Sequence, residues 1–137
     1  MSEPLIFDTS IWIDFLKNRV TPEADLLTSY IEHDDQVLLI PTILQEVLQG
    51  IREDKQYVHI KEIFSYFTVL QISPVQAAIG AAELYRGLRK KGLTIRKSND
   101  CLIAFYAIEF STPLVHSDKD FELISKHSKL KIWHPPK

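Results

Sequence analysis

The stretch Leu5-Ile6-Phe7-Asp8-Thr9-Ser10-Ile11-Trp12, written LIFDTSIW, decides how this chain is read. Three successive apolar residues have the character of a short buried strand. They run straight into Asp8, and interiors accept a carboxylate only when its charge is compensated. Apolar residues then resume: Ile11, Trp12, Phe15 and Leu16 form the core stripe of a helix that Thr9 or Ser10 is able to cap, with Asp14 on the opposite, solvated side. In open parallel sheets, functional groups gather beyond the carboxyl ends of the strands, where strand ends and helix starts converge. Asp8 occupies such a position.

The rest of the chain repeats the alternation. Further runs with strand character fall at Val37 to Ile40, Thr68 to Ile72, Pro113 to His116 and Leu130 to Trp133. Helical signals lie between them. Thr21-Pro22-Glu23 and Ser73-Pro74 each place a capping hydroxyl before a proline at the first helical position. The segment VQAAIGAAELYRGLRKKG collects its positive charge in its last turns and stops at Gly92, as the helix dipole and the C-terminal preference for glycine favour. GIREDKQY reads as a surface turn between two helices. Strands separated by helices imply parallel crossovers and a sheet covered on both faces. The expected fold class is therefore α/β, with three layers in the order α/β/α and a central, mostly parallel sheet of about five strands.

A chain of 137 residues is near the common domain size, and the expectation is one domain over residues 1–137. With apolar residues at 45% and only four glycines and seven prolines, disordered and fibrous classes are excluded. The single cysteine, Cys101, excludes an internal disulfide framework and the common zinc patterns, and reads as a small buried apolar residue. Trp12 and Tyr106 read as core. His33, His59, His127 and His134 share no ligand spacing and read as packing or surface residues. No basic segment precedes a long apolar run at the amino terminus, and the longest apolar run, Cys101 to Ile108, is too short to span a bilayer. A cytoplasmic protein without membrane contact is expected. The net charge of −2 argues against coating nucleic acid through bulk basicity, yet RGLRKKGLTIRK, from Arg86 to Lys97, holds six basic residues and no acid.

The other acids repay the same attention as Asp8. Glu46 stands one turn into the helix after Ile40, off the apolar stripe of Ile43, Leu44, Val47, Leu48 and Ile51. Asp100 opens a helix, SNDCLIAFYAIEF, that is apolar on nearly every side and hence buried. Asp118 and Asp120 follow the strand that ends in VHSDKDF. Each has an ordinary explanation: a solvated helical glutamate, a helix-dipole partner, a turn aspartate. Jointly they fall at one edge of the sheet. Two carboxylates about 5 Å apart repel by roughly 3 kcal/mol at an effective dielectric near 20, so a converging set needs protons or cations. Oxygen ligands without His or Cys suit Mg²⁺ or Mn²⁺ better than Zn²⁺. Divalent ions so held can act on a phosphodiester, and the basic strip, ending in Arg96 and Lys97, is placed to hold a polyanionic strand.

FDTSIWIDFL, PTILQEVLQGI, SNDCLIAFYA and LVHSDKDFELI, in this order and spacing, resemble the motifs of PIN-domain ribonucleases, and among them the VapC-type toxins of type II toxin–antitoxin systems. The resemblance implies a Mg²⁺- or Mn²⁺-dependent endoribonuclease of the PIN fold, usually a homodimer, inhibited by a small cognate antitoxin protein. The family's acidic positions map onto Asp8, Glu46, Asp100 and Asp118, with Asp120 a further acid. Ser10 matches the small hydroxyl after the first acid and is expected to orient Asp8 or water. His116 stands where many relatives carry Thr and reads as structural. Other readings are a PIN-fold RNA-processing nuclease outside such a pair, a non-catalytic interaction module, and a phosphoacceptor domain. The last would want a second acid beside Asp8, which is absent.

Overall fold

The computed structural model describes residues 2–136. The first strand, β1, is Leu5–Phe7, and it passes through Asp8 into helix α1, Thr9–Leu16. Helix α2, Pro22–Glu32, begins on the Thr21 cap, whose hydroxyl oxygen accepts the Ala24 amide at 3.0 Å. Strand β2, Val37–Leu39, leads through Ile40 into α3, Pro41–Gly50. Ile40 precedes a proline and is held extended, so β2 ends where α3 starts. After a short turn come α4, Asp54–Ser65, and β3, Thr68–Val69. Ser73 caps α5, Pro74–Lys90, which closes at Gly92 with φ of +83°, the left-handed conformation glycine adopts without strain. The chain finishes with α6, Ser98–Glu109, strand β4, Leu114–Val115, and α7, Lys119–Lys126.

The four strands form one parallel sheet in the order β3-β2-β1-β4. The expected α/β class and parallel sheet are present, with shorter strands than the apolar runs suggested. Leu70 still donates to the Leu39 carbonyl at 2.8 Å, but β2 has no residue beyond that for the rest of the Thr68 to Ile72 run to pair with. The Leu130 to Trp133 run contributes one bridge, Ile132 beside Leu114, because β4 is itself only two residues long. Between β1 and β4 the strand order reverses direction from β1 outward, and this boundary carries the site described below.

All three residues of β1 and all three of β2 are buried, in one continuous core. Trp12 is fully enclosed, its ring edge-on to Phe64 with centroids 4.8 Å apart and close to Phe15 and Phe67. Cys101 and Tyr106 are likewise buried on α6. Helices α5 and α6 approach closely at Gly80, where a Cβ would fall on the Phe105 ring. Among the described residues no helix is long and apolar enough to cross a membrane. Trp12→Ala empties the centre of the aromatic cluster and is expected to cost about 3–5 kcal/mol. Chemical denaturation measures this, and a loss below about 1 kcal/mol would contradict the packing.

Candidate metal centre

The site grows from the pairing of β1 with β4. Phe7 lies opposite Val115, and the Asp8 amide donates to the Val115 carbonyl at 2.9 Å, so the residues following both strands emerge side by side. Asp8 itself, not Thr9 or Ser10, is the N-cap of α1. Its Oδ2 accepts the Ser10 hydroxyl at 2.9 Å and the Ser10 amide at 3.5 Å. The side chain is buried, and this desolvation holds its carboxyl above the usual range despite the Ser10 hydroxyl; the charge of Glu46 adds to the rise.

Asp100 is carried in by the first turn of α6 and is 6% exposed. Burial first, then the charges of Asp118 and Asp8, push its carboxyl up to about 7, against the opposing effect of Lys97. Asp118 caps α7, its Oδ1 accepting the Asp120 amide at 3.0 Å, and Asp120 is buried in the first turn of that helix. One oxygen from each of Asp100, Asp118 and Asp120 lies within 4.8 Å of the others. Asp100 Oδ2 and Asp120 Oδ2 are buried without a hydrogen-bond partner. Orphaned anionic oxygens inside a protein are costly, and an oxygen-only set of this kind suits a hard divalent cation. The residues present therefore fit such an ion.

Glu46, half-buried on α3, reaches the same end of the sheet. Its Oε1 accepts the Thr9 hydroxyl at 2.7 Å and its Oε2 the Asn99 amide group at 3.4 Å. Asp8 feels both Glu46 and Ser10, and Asp100 feels Asp8, Asp118 and Asp120, so the five acids form one electrostatic group whose tight centre is Asp100, Asp118 and Asp120. Arg96 Nε lies 3.8 Å from Asp120 Oδ2 and Lys97 Nζ 3.6 Å from Asp118 Oδ2; both basic side chains are largely exposed. They stand at the lip of the acidic group. Asp14 stands apart, paired with Arg19 at 3.0 Å.

Sequence reasoning did not single out Asn99 or the Thr9 bond to Glu46. A carboxylate off the apolar stripe of α3 gave no signal of its partners, although both lie beside an acid in sequence. Burial pushes the neighbouring Cys101 thiol up to about 11, as expected of an inert core cysteine.

Residues 5–127 match the PIN domain, and the chain belongs to that family. Ribonuclease VapC11 of Mycobacterium tuberculosis is 28% identical over 130 residues, which cover 93% of this chain and 96% of that protein. Among solved structures, VapBC2 from Rickettsia felis, bound to a DNA fragment from its promoter, superposes with a TM-score of 0.72 at 20% identity, covering 95% of this chain and 97% of that one. VapBC-1 from nontypeable Haemophilus influenzae gives a TM-score of 0.71 at 21% identity, covering 95% and 96%. The fold is thus that of the PIN domain.

An acid whose folded pKa is raised binds a proton that the unfolded chain has already released. The folded state is penalised progressively as pH rises from the ordinary value of 3.8 towards about 7. In EDTA, Asp100→Asn should be more stable than the parent chain. Its advantage should widen between about pH 4 and pH 7 and level off above, as thermal unfolding across pH would read; an advantage independent of pH would contradict the burial of an ionisable Asp100.

Proposed function

We propose that the chain is a metal-dependent endoribonuclease of the VapC type, the toxin of a toxin–antitoxin pair acting on RNA in the cytoplasm. The observation that carries the reading is the set of three carboxylates within 4.8 Å, two of them with a buried oxygen that has no hydrogen-bond partner, at the strand ends of a PIN fold. The ribonuclease name of its 28% identical relative supports the reaction, and the VapBC complexes among its structural neighbours support a small antitoxin partner. The resemblance further supports a homodimer of single-domain chains spanning residues 1–137.

Asp100, Asp118 and Asp120 would hold Mg²⁺ or Mn²⁺, with Asp8 and Glu46 completing the acidic group. When bound, such an ion activates water and offsets charge developing on the phosphodiester. The chain's own residues do the positioning. The Ser10 hydroxyl fixes one oxygen of Asp8, while Thr9 and Asn99 fix the two oxygens of Glu46. Arg96 and Lys97 balance the acids from the lip and, being exposed, are free to turn to the phosphates of a single strand lying across the site. Burial around Asp8 and Asp100 limits the screening of their own carboxylates by bulk water.

EDTA, Asp8→Asn and Asp100→Asn should each lower cleavage of RNA by at least about 10²-fold, with circular dichroism unchanged. Cleavage that persists in the double variant would defeat the proposal. Removing the charge of Arg96 or Lys97 should weaken RNA binding at low salt and reduce the steepness of its salt dependence by about 0.7 per charge. Filter binding over a salt series measures this, and an unchanged slope would remove the two residues from the substrate path.

A further inference from the structure

The sharp turn that delivers Asp118 and Asp120 is held by a side chain outside the acidic group. His116, the last residue before the turn, is buried, and its Nδ1 accepts the Asp118 amide at 2.9 Å. A ring nitrogen that accepts an N–H carries no proton, so Nε2 is the protonated one. Nε2 lies 3.1 Å from Glu122 Oε1 on α7 and donates to it. The same Glu122 oxygen is met at 3.2 Å by His134 Nε2, which reaches over from the C-terminal tail. The Phe121 ring packs against His116 with centroids 5.4 Å apart.

Asp118 is thereby held on both sides. Its amide is fixed by His116 and its Oδ1 by the Asp120 amide, leaving Oδ2 as the oxygen turned towards Lys97. The Asp120 amide that makes the second bond belongs to the residue whose own Oδ2 is buried without a hydrogen-bond partner. The bond from His116 thus holds the backbone of the residue whose carboxylate in turn holds the Asp120 amide.

We propose that His116 is a positioning residue for the acidic site: through the Asp118 amide it places Asp118 and Asp120 for a divalent cation, with Glu122 locking its ring. The inference rests on the metal-dependent reading above. Groups of this kind, which orient the residues that touch a metal, typically change its affinity 10- to 100-fold when lost.

The test is Mn²⁺ binding by electron paramagnetic resonance, together with thermal unfolding in EDTA. His116→Phe keeps the ring packing but has no acceptor, and should weaken Mn²⁺ 10- to 100-fold. In His116→Asn the amide oxygen stands where Nδ1 stood, and binding should return to within about threefold of the parent chain. Equal binding by His116→Phe and the parent overturns the proposal. So does equal weakening in both variants, which would assign His116 to packing alone. Should His116→Phe not fold, Glu122→Leu at a half-exposed position frees the ring on its other side and is expected to weaken Mn²⁺ several-fold; unchanged binding there also overturns it. A parent chain that binds no Mn²⁺ overturns the metal reading itself, an outcome distinct from either result for His116.

Discussion

The acidic end of this molecule depends on the parallel pairing of β1 with β4. Because the strands run in the order β3-β2-β1-β4, the chain leaves β1 on one side to build β2 and β3 and returns on the other for β4. Segments leaving the carboxyl ends of two such neighbours depart towards opposite helix layers, and a crevice opens between them. The Asp8 amide bonded to Val115 marks its floor. Asp8 enters from one wall and Asp118 and Asp120 from the other, while α6 brings Asp100 beneath and α3 brings Glu46 alongside. The acids come from four different parts of the chain, yet one ladder of hydrogen bonds fixes their meeting point.

That arrangement stores free energy. Buried carboxylates near one another are unfavourable in isolation: burial first, and neighbouring charges after it, push the carboxyls of Asp8 and Asp100 above their usual range. The surrounding structure over-determines the geometry: α1 is anchored by the enclosed Trp12, α6 is buried along almost its whole circumference, and α7 is capped by Asp118 itself. Sites that hold strained or uncompensated groups persist where packing elsewhere outweighs them. Arg96 and Lys97 offset part of the repulsion, but from exposed positions whose contribution solvent weakens.

Most of the scaffold was legible before any coordinates. The caps at Thr21 and Ser73, the prolines after them and the glycine after α5 are local chemical signals, and local chemistry set those boundaries. The acids were legible as residues out of keeping with their apolar surroundings, and the resemblance to PIN-domain motifs supplied their grouping. Strand lengths were less so, since a strand lasts only as long as its partner. The cap of α1 was misplaced by one or two residues, because a carboxylate expected to serve chemistry also served the helix. The bonds from Thr9 and Asn99 to Glu46 join positions far apart in sequence, and the relay from His134 through Glu122 and His116 to Asp118 depends on how the tail and α7 pack against the turn. No periodicity or spacing reports such contacts.

The two borders of the sheet are each blunted, in different ways. On the outer side of β4, the Leu114 amide donates to the Lys131 carbonyl and the Leu114 carbonyl accepts from Trp133, so its backbone groups are already spent. On the far side β3 offers only two residues. An unpaired strand edge is a template for intermolecular stacking, and short or covered edges are how proteins avoid it. Neither border therefore presents a long run of unpaired backbone groups to which a strand of another chain could add.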